Sequence, residues 1–160
     1  MSAGVLKNLG FFAVVLAAVL GIRFWMGRAA PVPQAFATEV RLADAIEQSK
    51  ETGRPVFALF TADWCPGCQQ YKRGSLAKPE INSELSSRTI PVYVNVDEDK
   101  DDVALLASMG LPVRSIPASV VIRGDQIATY AVGARSQAEI LAMIEAGENG
   151  HAHRLIAPGG

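Results

Sequence analysis

Apolar and polar positions divide the 160-residue chain into two unequal parts. No charged residue occurs from Asn8 to Ile22, and Leu9 to Leu20 is almost wholly apolar. This run predicts a terminal apolar helix. If Arg23 snorkels past Phe24 and Trp25, the run extends to Gly27 and reaches the ~20 residues that a bilayer-spanning helix needs. A proline-rich break, Ala30 to Pro33, follows. Beyond it the periods shorten. Val40 to Thr52 predicts an amphipathic helix stopped by Gly53, and Pro55 to Thr61 predicts a strand buried on both faces. Gln69–Leu76 and Pro79–Leu85 read as helices, and Thr89–Val96 as a strand. Asp97 to Asp102 is a charged, solvated connection. A helix over Val103–Met109 ends at Gly110. Ala118–Ile122 and Gln126–Val132 form a hairpin around Arg123, Gly124 and Asp125. Ser136 and Glu139 have capping-box spacing and open a last helix from Gln137 to Ala146. Gly147 to Gly160 reads as a frayed tail.

Strands joined by helices and followed by a hairpin predict an α/β sandwich, a central mixed sheet flanked by helices and preceded by the N-terminal apolar helix. Three regions follow: 1–37 as membrane anchor or signal segment plus linker, 38–147 as the folded domain, and 148–160 as a flexible tail. Composition narrows the function classes. Hydrophobic residues at 49% and charged residues at 19% exclude a disordered chain. A net charge of -1 argues against a nucleic-acid partner. Two cysteines are too few for a disulfide-stapled mini-fold.

The leader holds Lys7, Arg23 and Arg28 and no acid. Two readings stand. It is an uncleaved anchor over residues 8–27, with the domain outside the cytoplasm, or a secretory signal cleaved after Ala35, Phe36 and Ala37, before Thr38. The long flank and its two arginines favour the anchor. A helix packed inside the domain fits poorly with a terminal, uninterrupted apolar run followed by prolines.

Cys65 and Cys68 sit where the buried strand meets a helix. Residues three apart on a first helical turn lie ~5–6 Å from one another, within disulfide range. Free backbone amides and the helix dipole favour an anion at the leading sulfur, and the thiolate is the nucleophile. Cys65 is therefore the expected attacking thiolate, and Cys68, one turn deeper, the resolving thiol. Pro66 suits an early helical position, and Gly67 permits close approach of another chain. A zinc site needs four ligands, and the only histidines, His151 and His153, lie in the glycine-rich tail. No metal is expected. Pro117 precedes a strand, where an ordinary strand-start proline and a cis peptide are both open.

Phe60 to Cys68, Asn95-Val96-Asp97, Val113 to Pro117 and Val132-Gly133 resemble the ordered landmarks of thioredoxins, over roughly Val40 to Ile144. The chain is most similar to the periplasmic thioredoxin-like C-terminal domain of the transmembrane thiol–disulfide interchange reductases, which share a Lys78-Pro79-Glu80-Ile81-like helix and an acidic connection. The resemblance implies a thioredoxin-like sandwich, a cis Pro117 facing the cysteines, an Ile116 backbone that pairs with an incoming peptide, and Trp64 flanking the docking surface. Trp64, Pro66, Gly67, Ile116 and Pro117 are thus the expected substrate contacts, and no organic cofactor is needed. Two positions depart from the pattern. Leu59 stands where many thioredoxins bury an Asp that helps deprotonate the resolving thiol, and Tyr93 stands where a Lys is often found. Asp63 lies too near the surface to take over that role and opposes a second negative charge at Cys65.

The expected function is a membrane-tethered, periplasmic or otherwise extracytoplasmic thiol–disulfide oxidoreductase, a reductase more than an oxidase. Its expected partners are client proteins with disulfides and a membrane electron donor of the thiol–disulfide interchange type. The membrane itself is reached through the N-terminal helix. The rival readings are a thiol-based copper binding and delivery module on the same fold, and a structural domain with an inert disulfide.

Overall fold

A computed structural model describes residues 11–21 and 29–150. The first segment is helical and exposed throughout. Phe11, Phe12, Val14, Leu16 and Leu20 each expose more than half of their surface, so this helix does not pack inside the domain. The two ends of the expected 8–27 span lie outside the described residues. Among the described residues, no helix is long and apolar enough to cross a membrane.

The domain is built from α1 (Leu42–Thr52), β1 (Val56–Thr61), α2 (Pro66–Arg73), α3 (Pro79–Arg88), β2 (Ile90–Asn95), α4 (Lys100–Ser108), β3 (Ala118–Arg123), β4 (Gln126–Val132) and α5 (Gln137–Asn149). The sheet order is β2-β1-β3-β4. β1 pairs parallel with β2 and antiparallel with β3, and β3 with β4 makes the antiparallel hairpin. This is the expected mixed sheet. Every residue of β1 is buried, as its unbroken apolar run predicts. β2, on the edge, alternates buried and half-buried positions.

Alternation along the strands makes two cores. Val56, Ala58, Phe60, Val92 and Val120 meet Leu42, Ala45 and Ile46 of α1 and Leu106 of α4. Phe57, Leu59 and Val121 meet Tyr71 of α2, Ile81 and Leu85 of α3, and Ile140, Met143 and Ile144 of α5. α5 opens with the expected capping box. The Ser136 hydroxyl accepts from Glu139 N–H, and the Glu139 carboxylate accepts from Ser136 N–H.

Four departures from the sequence reading have a physical cause in the packing. Residues 29–37, read as linker, pack onto the domain, with Ala30, Ala35 and Phe36 buried and Phe36 in the second core. α2 starts at Pro66 and breaks at Gly74, where a Cβ would stand 2.9 Å from the Gln70 carbonyl oxygen. α4 begins inside the acidic connection, because Asp102 is buried against Arg41 at 3.2 Å and does not face water. α5 continues through Gly147, read as the start of a tail. A Cβ on Gly147 would lie 2.5 Å from Val121 Cγ1, so glycine lets the helix close on the sheet.

Candidate functional site

β1 ends at Thr61, and the chain turns through Ala62, Asp63 and Trp64 into α2. Cys65 is the N-cap of α2, with extended backbone, and Pro66 occupies the first helical turn, where a missing N–H costs nothing. Cys65 and Cys68 are joined in a disulfide, with Cα atoms 5.2 Å apart. The Cys65 sulfur accepts the Cys68 backbone N–H at 3.2 Å. An N–H aimed at this sulfur in the disulfide is placed to stabilise a thiolate once the bond opens. Cys65 is 5% exposed and Cys68 1%, which makes Cys65 the more accessible sulfur of a buried pair. Ala62 completes this small apolar cluster, and Val96 and Ile116 pack against it.

The loop before β3 closes the other side. The Ile116–Pro117 peptide is cis. The Ile116 carbonyl oxygen lies 3.8 Å from the Cys65 sulfur. A Cβ on Gly67 would stand 3.5 Å from Pro117 Cδ, so Gly67 and Pro117 face one another. The Pro117 carbonyl accepts Gly133 N–H at 2.7 Å, which ties this loop to the end of β4. Trp64 is 68% exposed, and its indole N–H donates to Asp97 Oδ2 at 2.6 Å. Of the residues expected at the site, Cys65, Pro66, Gly67, Cys68, Ile116 and Pro117 come together around the disulfide. Trp64 adjoins them on the rim.

The family profile of the thioredoxin-like domain matches residues 42–148. The chain belongs to the thioredoxin-like domain family. The chain is 31% identical over 81 residues to the thiol:disulfide interchange protein DsbD of Escherichia coli K12, covering 47% of this chain and 14% of that one. The DsbD of Salmonella paratyphi A is 34% identical over 82 residues, covering 49% and 14%. The chain therefore spans a small fraction of these relatives. Among solved structures, the DsbH oxidoreductase superposes with a TM-score of 0.57 at 20% identity, covering 74% of this chain and 90% of that one. A thioredoxin from Thermus thermophilus gives 0.52 at 25%, covering 66% and 82%.

Sequence reasoning missed the polar groups that brace the thioredoxin-like site from below. Gln69, 9% exposed, follows Cys68 directly. Its amide donates to the carbonyls of Ala62 (3.2 Å) and Asp63 (3.0 Å), and its oxygen accepts Ala30 N–H. The segment 29–37 is thereby pinned to the loop that carries Cys65. Lys72 is 3% exposed and donates to Tyr93 Oη at 3.0 Å and to Asp63 Oδ1 at 3.4 Å. Among the described residues, no group of three or more His, Cys, Asp or Glu is placed to hold a metal ion.

Proposed function

We propose that this chain is a membrane-tethered, extracytoplasmic thiol–disulfide oxidoreductase acting as a reductase on client protein disulfides. One observation carries the proposal: a Cys65–Cys68 disulfide at a strand–helix junction, with a backbone N–H on the Cys65 sulfur and the cis-Pro117 loop against it. In the reduced protein the Cys65 thiolate attacks a client disulfide and forms a mixed disulfide. Cys68 then displaces the client thiol and re-forms the internal bond. The Ile116 backbone, cis-Pro117, Gly67 and Trp64 form the surface on which the client strand docks. The pair is re-reduced by a membrane electron donor of the thiol–disulfide interchange type. The reductive direction is supported by the similarity to thiol:disulfide interchange proteins and by a stretch between Cys68 and Pro117 too short for an inserted helical domain.

Tethering is supported by two features. The described leader helix presents an apolar surface with no protein cover. Phe36 is 2% exposed in the core, so cleavage before Thr38 would strip a core side chain and favours retention of the leader.

The Cys65→Ser variant is expected to lose insulin reduction, and Cys68→Ser to accumulate a mixed disulfide whose mass reports the client. Undiminished reduction by Cys65→Ser would remove this cysteine from the mechanism. Carbonate washing should leave the full chain in the membrane pellet. A mature protein beginning at Thr38 would overturn the anchor.

A further inference from the structure

Leu59 stands where many thioredoxins bury an acid, and the helix that carries Cys68 holds a buried amine, that of Lys72. Leu59 on β1 pairs in register with Tyr93 on β2. The Tyr93 hydroxyl receives Lys72 Nζ, which also lies 5.6 Å from the centre of the Tyr93 ring. The Lys72 side chain is 1% exposed, whereas that of its other partner, Asp63, is 62% exposed. A lysine on a helix usually extends its amine to water, and burial is costly unless its donors are met. Here the amine is held inside by a phenol and a carboxylate. Lys72 follows Cys68 by four residues on α2. The two buried side chains therefore share one helix face, with Cβ atoms about 5–6 Å apart.

We propose that Lys72 is a positioning residue whose ammonium stabilises the Cys68 thiolate during resolution of the mixed disulfide. The inference rests on the exchange reaction proposed above. Cys68 first gives its proton to water. Its sulfur then attacks Cys65 Sγ, and the Cys65–Cys68 bond forms as the Cys65–client bond breaks. The electron pair leaves on the client sulfur, which takes a proton from water. Two electrons have then passed from the dithiol to the client. Lys72 keeps its proton throughout and acts by charge alone.

The titratable groups that bond this amine are Asp63 from the loop before α2 and Tyr93 from β2. Asp97, after β2, holds the Trp64 indole on the rim. Asp63 is hydrated and offsets the ammonium only in part, whereas Cys68 lies in a weakly screened interior. Thr61, also on the Leu59 face of β1, is fully buried, and its hydroxyl has no partner among the described residues. The Leu59 face of β1 therefore ends in a buried polar residue, next to the apolar cluster of Ala62, Val96 and Ile116 around the sulfurs.

The test is stopped-flow reaction of the full-length reduced protein with Ellman's reagent. The first equivalent of chromophore reports attack by Cys65, and the second reports resolution by Cys68. Lys72→Gln retains polar contact with Tyr93 and Asp63 without the charge, Lys72→Met removes both, and Lys72→Arg retains the charge. The second phase should slow about 3- to 5-fold at pH 7 in the Gln and Met variants, and its pH midpoint should rise by about one unit. The Arg variant should recover the rate. A folded Lys72→Gln variant with an unchanged second phase and midpoint would overturn the role of Lys72 and leave the exchange reaction standing. Wild-type protein that releases no rapid first equivalent would overturn the exchange reaction itself, and this inference with it.

Discussion

On one face of the sheet, Val56, Ala58, Phe60, Val92 and Val120 meet Leu42, Ala45, Ile46 and Leu106. On the other, Phe57, Leu59 and Val121 meet helices that also bring in buried polar groups. There Tyr71 Oη lies 3.3 Å from Ser119 Oγ, Asn82 holds the N-terminal segment, Lys72 meets Tyr93, and Arg135 pairs with Glu139. The first face is held mainly by the area it removes from water. The second adds directional bonds, which fix where each element lies. The dithiol helix belongs to the second face, so the site takes its position from polar contacts as well as from packing. Arg41 and Asp102 form an ion pair on the first face, where Asp102 raises the Arg41 pKa first through its hydrogen bond and then through its charge.

The largest effect should come from a cavity in the apolar face. Phe60 is fully buried among α1 and α4 side chains. Phe60→Ala should cost about 3–5 kcal/mol, read as a lower urea midpoint. Because no directional bond is lost, the dithiol chemistry of the molecules that remain folded should be unchanged. A fall in the second Ellman phase comparable to that of Lys72→Gln would show that the two faces are not separable in this way.

Asn82 tests the polar face with a smaller loss. Its amide donates to the carbonyls of Leu76 (2.8 Å) and Lys78 (3.0 Å), and its oxygen accepts Ala35 N–H at 2.7 Å. Asn82→Ala leaves these backbone groups without partners and should cost about 2 kcal/mol. The loss should be local first: residues 29–37 should become cleavable by protease before the domain unfolds. Simultaneous cleavage and unfolding would instead join this segment cooperatively to the whole domain.

The same division explains what could be read from the sequence. Apolar patterns are local, so β1, the β3–β4 hairpin, the capping box at Ser136 and the Cys65–Cys68 junction were all visible as spacings. Buried polar residues are legible only through their partners. Gln69 meets Ala30 from 39 residues away, and Asn82 meets Ala35 from 47. Lys72 looks like any lysine near a helix C-terminus until Tyr93 is brought beside it. Asp102 sat in an acidic run that reads as solvated, and its burial depends on Arg41, the N-cap of α1, 61 residues earlier. Gly147 resembled a helix stop because its role is to make room for Val121, a neighbour only in the fold.

The smallest of these effects separates the faces by pH. Tyr71 projects from α2 into the second core, and burial pushes its phenol up to about 12, against the opposing hydrogen bond from Ser119. In the unfolded chain the phenol returns to its ordinary value of 10.0. The folded state thus binds the proton more tightly. This contribution is complete below pH 10 and is lost as pH rises through the folded value, because the unfolded chain binds fewer protons over that window. Tyr71→Phe keeps the ring in place and should cost only about 1 kcal/mol at pH 8, for the lost bond to Ser119. It should also flatten the alkaline limb, so urea midpoints of wild type and variant should converge between pH 10 and 11.5. Phe60→Ala should keep the wild-type slope over the same range, since it leaves Tyr71 and Ser119 untouched. Parallel curves for wild type and Tyr71→Phe would place the phenol in contact with water and remove it from the buried polar groups that set the second face apart.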